Sequence, residues 1–254
     1  MKLRRLAASV ATYGPAYLVE RAFSPHDQVG RLACMRKRQA RYASMSRDER
    51  ADELCRLFYC GTGRKLDLSD PRTFDEKMQW LKLYGGSPLR TRLIDKVEAR
   101  EWVADRVGEK YVVPLLGVWN CFDDIDFEAL PERFALKCNH GAGYNIIVHD
   151  KTKLNLADAK RKVDAWMSEN YAYGHMMELQ YEDITPKVFA EEYMENAGGD
   201  IYDYKIYCYD GEPLYTQFLC DRATGLRMAY FDNDWNKQAF RYSQHALIAE
   251  NIER

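Results

Sequence analysis

Residues 134–148, FALKCNHGAGYNIIV, decide the fold of this chain. The two ends of the stretch, Phe134–Cys138 and Asn145–Val148, are short runs of mostly apolar residues, which predict two strands. Between them lie Gly141 and Gly143, so we predict a glycine turn that joins the strands into a hairpin. Lys137 stands near the end of the first strand, just before the turn.

This turn has the composition of an anion site. Glycines let backbone N–H groups approach an oxygen anion closely, and the nearby Lys137 ammonium adds positive charge. Such a turn can hold nucleotide phosphates without a Walker sequence. A tight hairpin with no ligand is the structural alternative. Cys138 and His140 are too few and too close together for a zinc site, so we predict no zinc.

A further strand is predicted at residues 187–194, KVFAEEYM. It ends in two carboxylates, Glu191 and Glu192, followed by Met194. A backbone segment of this kind can offer its N–H and C=O groups to the edge of an adenine, with an apolar side chain against the ring. The alternative is a strand end with a charged outer face.

Another strand is predicted at residues 203–209, followed by Asp210-Gly211, the strongest hairpin-turn signal in the chain. Its partner is residues 214–220, and residues 226–242 have room for one more strand. Because side chains alternate along a strand, Asp203 and Lys205 point to the same face. They could hold ribose hydroxyls and phosphate oxygens, or form a structural salt bridge.

The N-terminal part of the chain is predicted to be helical. Capping boxes at Ser46 and Thr73 begin two helices. Residues 89–107 are predicted to form one further helix, on which Lys96 and Arg100 face the same way. They could present two cations to a cleft, or pair with neighbouring glutamates. Helical blocks followed by mixed strands and helices predict an α/β (α+β) architecture with a layered sheet.

Composition narrows the class of protein further. The chain has 254 residues with a net charge of −2, which favours no nucleic-acid partner. The first 41 residues are basic, and they could contact anionic lipid or polymer, or simply form a solvated helix face. Seven cysteines form no CxxC pair, which predicts reduced, buried thiols and a cytoplasmic location.

The order of these segments resembles the TupA-like ATP-grasp family, which is found in gene clusters for polysaccharide and teichuronopeptide synthesis. No single motif is specific, but the combination is. The segments that carry the resemblance are LDLSDPRTFDEKMQWLKLY at 66–84, DKxxxR at 95–100, PLLGVW at 114–119, FALKCNHGAG at 134–143, AEEYME at 190–195, DYKxYCYDG at 203–211 and YFDNDWN at 230–236.

The resemblance implies an ATP-grasp-like fold, in which a helical N-terminal extension (residues 1–65) precedes two α+β lobes (residues 66–254) that enclose a nucleotide cleft. It also implies roles for residues of the smaller lobe. Lys96 and Lys137 would contact the ATP phosphates. Gly141, Ala142 and Gly143 would form a mobile flap over them.

The same resemblance implies the rest of the ATP site. Glu191, Glu192 and Met194 would belong to the hinge that meets adenine. Asp203 would bind the ribose, and Lys205 would contact a phosphate and serve in catalysis.

The resemblance further implies an activity. ATP-grasp enzymes activate a carboxylate as an acyl phosphate, which an amine then attacks, and Mg²⁺ offsets the phosphate charge. A polysaccharide or sugar-linked molecule is the expected acceptor. The family pattern continues into acidic strands that supply metal ligands, whereas this sequence ends at Arg254. We therefore expect the ATP-grasp-like domain to be incomplete at its C-terminal end, and we assign no metal ligands.

Two other functions stay open at this point. Asp232-Asn233-Asp234 fits the loose DxD pattern with which many glycosyltransferases hold a metal and a nucleotide sugar. A non-catalytic ATP-binding relative in an envelope-synthesis complex is the other, and the basic N-terminal segment agrees with it.

Overall fold

The computed structural model describes residues 39–174, 177–195, 201–221, 224–240, 246–248 and 252. The chain divides into two compact units, Met1–Glu192 and Tyr193–Arg254. We call them unit 1 and unit 2. Most of the basic N-terminal segment, with the helix predicted there, lies outside the described residues.

Between residues 47 and 107, unit 1 forms four α-helices: α1 (Arg47–Thr62), α2 (Phe74–Tyr84), α3 (Pro88–Ile94) and α4 (Glu98–Val107). The predicted capping box of α1 is confirmed. The N–H of Glu49 donates to the Ser46 hydroxyl at 3.3 Å, and the N–H of Ser46 donates to the Glu49 carboxylate at 2.7 Å. The helix ends at Gly63, whose φ of 73° is the left-handed value that favours glycine.

The capping box of α2 is confirmed as well, and it makes a stability prediction. The N–H of Glu76 donates to the Thr73 hydroxyl, and the N–H of Thr73 donates to the Glu76 carboxylate at 2.8 Å. Thr73→Ala removes the cap, so we expect a loss of about 1 kcal/mol. Thermal unfolding should show a melting temperature lower by about 2–4 °C. Thr73→Ser keeps the hydroxyl and should melt close to the wild type; an equal loss in both variants would contradict this account.

The prediction of one helix over residues 89–107 is wrong, because the helix breaks at Asp95. This residue ends α3 with an extended ψ of 115°. Its carboxylate then accepts the N–H groups of Val97, at 2.8 Å, and Glu98, at 3.2 Å, which begin α4. Lys96 therefore lies in the junction between two helices and not on a helix face shared with Arg100.

The sheet of unit 1 has four antiparallel strands: β1 (Leu115–Trp119), β2 (Phe134–Cys138), β3 (Asn145–Val148) and β4 (Val188–Glu192), in the order β1-β4-β2-β3. The predicted β2–β3 hairpin is confirmed. Two helices, α5 (Leu156–Met167) and α6 (Tyr171–Gly174), precede β4 in the chain. The Asn155 side chain caps α5 by accepting the N–H of Asp158.

Alternation along β2 and β4 separates a hydrophobic face from a polar one. Leu136 is paired with Ala190, and both belong to a buried core that also contains Val163 of α5. Lys137 and Glu191 stand one position further along their strands, so their side chains point away from that core. The polar face of the sheet is therefore the place to look for a site.

A second cluster of buried side chains lies in the helical part of unit 1. Leu54 and Leu57 of α1 pack with Ala172, Tyr173 and Met177. The proposed boundary of a separate extension at residue 65 stays a prediction.

Unit 2 holds a second four-stranded sheet: β5 (Asp203–Tyr209), β6 (Glu212–Cys220), β7 (Arg227–Phe231) and β8 (Ala246–Leu247), in that order. Asp210 and Gly211 have φ of 51° and 84°, which confirms the predicted hairpin turn. The parallel strand β8 was not predicted. Together the two sheets and the helices confirm the mixed α/β (α+β) fold class.

Two further findings concern the chain as a whole. None of the helices within the described ranges has the length and apolarity to cross a bilayer. Of the cysteines expected to be buried, Cys138 and Cys220 are, whereas Cys121 and Cys208 are exposed. Those two thiols are exposed although apolar residues lie next to them in the sequence.

Candidate functional site

The polar face of β2 and β4 brings an ammonium and a carboxylate together. Ala135 pairs with Glu191 across the two strands, and Lys137 follows Ala135 on the same face. Such diagonal neighbours are within reach of long side chains. The Lys137 ammonium donates to Oε1 of Glu191 in an ion pair.

A third charged group reaches this pair from α4. Nη1 of Arg100 lies 3.0 Å from Oε2 of Glu191. The Glu191 residue is only 7% exposed, so both of its oxygens are used by cations in a place with little water. Arg100 thus pairs across the fold and not with the neighbouring glutamates on its own helix.

Lys96 completes a group that we call the cation cluster, defined as Lys96, Arg100 and Lys137. The Lys96 ammonium donates to the backbone carbonyls of Gly141 and, at 3.4 Å, of Asn139. It therefore lies against the glycine turn. Three cations from α4, its preceding junction and β2 therefore lie close enough for Arg100 and Lys96 to act on the charge of Lys137.

Burial lowers the pKa values of all three members of the cation cluster. The pKa of Lys137 is lowered by burial first, and then by the charges of Arg100 and Lys96. Burial also lowers the pKa of Lys96 and of Arg100. At Lys137, where two cations add to the effect of burial, a bound anion would offset their repulsion.

The glycine turn is buried in its first half and exposed at its tip. Asn139 and Gly141 are buried, whereas Ala142 and Gly143 are exposed. A Cβ built on Gly141 would lie 2.4 Å from the Tyr144 ring, so the close packing there requires glycine. Gly143 has a φ of 77°. Ala142 and Gly143 form the exposed tip of the turn, and the backbone of Ala142 is hydrogen-bonded to the buried Tyr171.

The end of β4 differs from the backbone role implied for it by resemblance. The side chain of Glu191 faces the cations, and the N–H of Glu192 donates to the Pro114 carbonyl at 3.0 Å within the sheet. Met194 lies beyond the strand and is about half exposed. An adenine edge would therefore meet the backbone after Glu192, and the hinge roles of these residues stay a prediction.

Unit 2 contributes a second set of polar side chains on β5. Asp203 pairs with Leu219, and Lys205 pairs with Gln217, which places both polar residues on one face as predicted. On that face the Gln217 amide donates to the Tyr230 hydroxyl at 2.9 Å. Whether Asp203 and Lys205 bind a nucleotide stays a prediction.

The DxD segment is engaged in its own turn. Asp232 accepts the N–H groups of Asp234 at 3.0 Å and Asn236 at 2.8 Å, and its second oxygen accepts the side-chain amide of Gln238 at 3.1 Å. The backbone N–H of Asn236 is the main cause of the lowered pKa of Asp232. A carboxylate used in this way is typical of a turn residue and does not favour a nucleotide-sugar site.

A cavity of about 760 Å³ lies elsewhere in unit 1, lined mainly by the helical part and the segment around residues 179–183. None of the predicted ATP-binding residues lines it. Its lining mixes cations with acids, for example Arg50 paired with Glu182 at 2.8 Å. We therefore place the candidate site at the cation cluster, where like charges converge. Among the described residues, no group of three or more His, Cys, Asp or Glu side chains could hold a metal ion by itself.

Sequence reasoning found Lys96 and Lys137 but missed two features of the site. It did not find the carboxylate role of Glu191, because the pairing of β2 with β4 is not visible in sequence. It also missed the buried contact between Asp95 and Asn139, at 2.8 Å, which joins segments distant along the chain. The only sequence signal for this contact was that both residues are polar and lie near the predicted lysines: Asp95 directly precedes Lys96, and Asn139 lies two residues after Lys137.

Comparison with known proteins gives one match. The model of the family described as TupA-like ATPgrasp matches residues 76–254. A search of curated proteins and a search of solved structures give no match.

Proposed function

Because this chain belongs to the TupA-like ATP-grasp family, we propose that it binds Mg-ATP and acts as a carboxylate–amine ligase in cell-envelope polysaccharide synthesis. Membership of the family implies an ATP-grasp-type protein that uses ATP, typically with Mg²⁺. The ligase activity, the cytoplasmic location and the sugar-linked acceptor are our proposals.

The observation that carries the proposal is the cation cluster beside the glycine turn. Arg100 and Lys137 pair with the carboxylate of Glu191, and Lys96, whose charge acts on Lys137, lies against the glycine turn. A triphosphate carries several negative charges and accepts charge-assisted hydrogen bonds, which are stronger than neutral ones. The residues present therefore fit the phosphates of ATP.

The remaining contacts are assigned by the family resemblance. Lys137 and Lys96 would bind phosphate oxygens, and the exposed tip at Ala142 and Gly143 would cover them. Asp203 would bind the ribose and Lys205 a phosphate. Mg²⁺, when bound, would offset the charge of the phosphates as the γ-phosphoryl group moves.

The proposed reaction has two steps. A carboxylate oxygen of the donor substrate attacks the γ-phosphorus, the bond to the β-phosphate oxygen breaks, and ADP leaves. The acyl phosphate is then attacked by an amine, which loses a proton as inorganic phosphate leaves and an amide forms. The protein's part is to hold the phosphates, neutralise charge and keep water away, as a partly buried cation cluster can do.

Ligand-induced thermal shift tests the proposed nucleotide. A ligand that binds only the folded state, present at 100 times its Kd, should stabilise it by about 2.7 kcal/mol. We expect Mg-ATP to raise the melting temperature and Mn²⁺ with UDP-sugars to leave it unchanged. A shift with a UDP-sugar and none with ATP would reject the proposal in favour of a glycosyltransferase.

Turnover is measured separately, as ADP released in the presence of candidate carboxylates and amines. ATP binding with no turnover would instead support the non-catalytic relative.

Binding of the purified chain to vesicles containing anionic lipid would test the proposed membrane contact of the basic N-terminal segment.

A further inference from the structure

A buried polar pair lies next to Lys96 of the cation cluster. The side-chain amide of Asn139 donates to Oδ2 of Asp95 at 2.8 Å. Asp95 is 6% exposed and Asn139 is 0% exposed. The pair joins the α3–α4 junction to the glycine turn, which are far apart along the chain.

Asp95 determines where α4 starts. Its other oxygen, Oδ1, accepts the N–H groups of Val97 and Glu98, which are the first donors of that helix. Arg100 stands on the first turn of α4. The orientation of the Asp95 carboxylate therefore fixes the segment from which Arg100 reaches Glu191.

Asn139 connects the same junction to the approach of β4. Its side chain accepts the N–H of Lys187 at 2.7 Å and donates to the Thr185 carbonyl at 3.0 Å. Its own carbonyl accepts the backbone N–H of Lys96 at 3.2 Å. One asparagine thus ties together the turn, the junction and the chain that leads into β4.

Lys96 is held at both ends by this arrangement. Its backbone N–H donates to Asn139, and its ammonium donates to the carbonyls of Asn139 and Gly141. A long lysine side chain carries much rotamer entropy, which is lost when it is placed in one geometry. Fixing its backbone relative to the turn reduces the cost of that placement before a ligand arrives.

We propose that Asp95 and Asn139 are positioning residues for the triphosphate site, acting through Lys96 and Arg100. This rests on the proposed function, in which the cation cluster binds ATP phosphates. Neither side chain touches the phosphates, since both are buried in the hydrogen bonds described above. Their role is to hold three separate segments in the register at which the cations converge.

The direction of the hydrogen bond supplies a sharp test. Asp95→Asn places an amide donor either against the Asn139 donor or against the N–H groups of Val97 and Glu98, and Asn139→Asp sets two buried carboxylates against each other. The double variant, Asp95→Asn with Asn139→Asp, restores one donor and one acceptor between the two side chains in the reverse direction, but it leaves the Thr185 carbonyl without its donor. Asp105→Asn changes an exposed aspartate on α4 and serves as the matched control.

ATP and adenosine affinities are measured by calorimetry and by competition, after each variant is shown to fold by circular dichroism. We expect Asp95→Asn to weaken ATP binding about tenfold to a hundredfold, which is the scale of a small misplacement. Adenosine affinity should be unchanged, since adenosine has no phosphates. The double variant should recover part of the ATP affinity lost in Asp95→Asn, and Asp105→Asn should resemble the wild type.

A double-mutant cycle with Lys96→Ala checks the route of the effect. If Asp95 acts through Lys96, the two losses should not add, and Asp95→Asn should weaken ATP binding less in the Lys96→Ala background. Asn139→Ser is used as the single variant at that position if Asn139→Asp does not fold.

The outcomes separate the two proposals. No ATP binding by the wild type would overturn the proposed function and this inference with it. Wild-type binding that falls in Lys96→Ala but not in Asp95→Asn would overturn the positioning role alone. Equal losses for ATP and adenosine would also overturn it, because they would indicate general damage to the fold.

Discussion

Lys137→Ala is expected to weaken ATP binding by about one to two orders of magnitude. A hydrogen bond to a charged group contributes about 1.5–3 kcal/mol, and 1.4 kcal/mol corresponds to a factor of ten in affinity. The ammonium lies on the polar face of β2, paired with Glu191 and next to two other cations. Its removal takes away a hydrogen-bond donor to the phosphates and leaves Glu191 paired with Arg100 alone. Isothermal calorimetry with Mg-ATP measures the change.

The matched control is Lys110→Ala, which removes an exposed lysine of unit 1. It should bind ATP as the wild type does. Lys205→Ala applies the same test to the proposed contribution of unit 2, and we expect a similar loss there. Unchanged affinity in both Lys137→Ala and Lys205→Ala would remove the ATP site as we place it.

Glu191→Gln is expected to lower the free energy of unfolding by about 3 kcal/mol, because breaking a buried ion pair leaves uncompensated charge. Here the carboxylate is shared by Arg100 and Lys137, so both cations lose their partner. Urea unfolding followed by circular dichroism measures the loss. Inorganic phosphate should restore part of the stability, since it can replace the missing anion among the three cations.

Glu192→Gln is the control on the same strand. That residue is exposed, and its backbone N–H donates within the sheet. The side-chain substitution leaves this backbone hydrogen bond in place, as Glu191→Gln leaves its own backbone unchanged. We expect its stability to change by less than about 0.5 kcal/mol and to show no added response to phosphate. A loss in Glu192→Gln equal to that in Glu191→Gln would mean that the strand end, and not the ion pair, is responsible.

Local signals in the sequence predicted most of the elements correctly. The capping boxes at Ser46 and Thr73 and the turn at Asp210-Gly211 are formed by residues close along the chain. Their conformations depend on backbone sterics and short-range hydrogen bonds, which a sequence displays directly. The β2–β3 hairpin was predictable for the same reason.

Features that depend on distant contacts were not predictable. The break between α3 and α4 is stabilised by Asp95, whose second oxygen is held by Asn139. The helical spacing of apolar residues over 89–107 continues through that break, so periodicity alone gives one helix. Strand β8 has two residues in polar sequence and exists through its parallel pairing with β7.

The candidate site was predicted in part. Lys96 and Lys137 were nominated from a glycine turn and from a resemblance to the ATP-grasp family, and the match over residues 76–254 confirms that family. The structure brings both lysines to one cluster with Arg100. The carboxylate of Glu191 was expected to mark a backbone hinge, because strand alternation gives a face only after the pairing partner is known.

The central position of β4 has a consequence for biosynthesis. This strand pairs with β1 on one side and β2 on the other, so the sheet of unit 1 cannot close until residue 192 has left the ribosome. The β5–β6 hairpin, by contrast, closes through a local turn and needs no distant partner. During translation, Lys137 and Arg100 are therefore made long before the carboxylate that pairs with them. The nascent chain carries their uncompensated charge in water until β4 arrives, and its sheet edges are exposed to chaperones for the same interval.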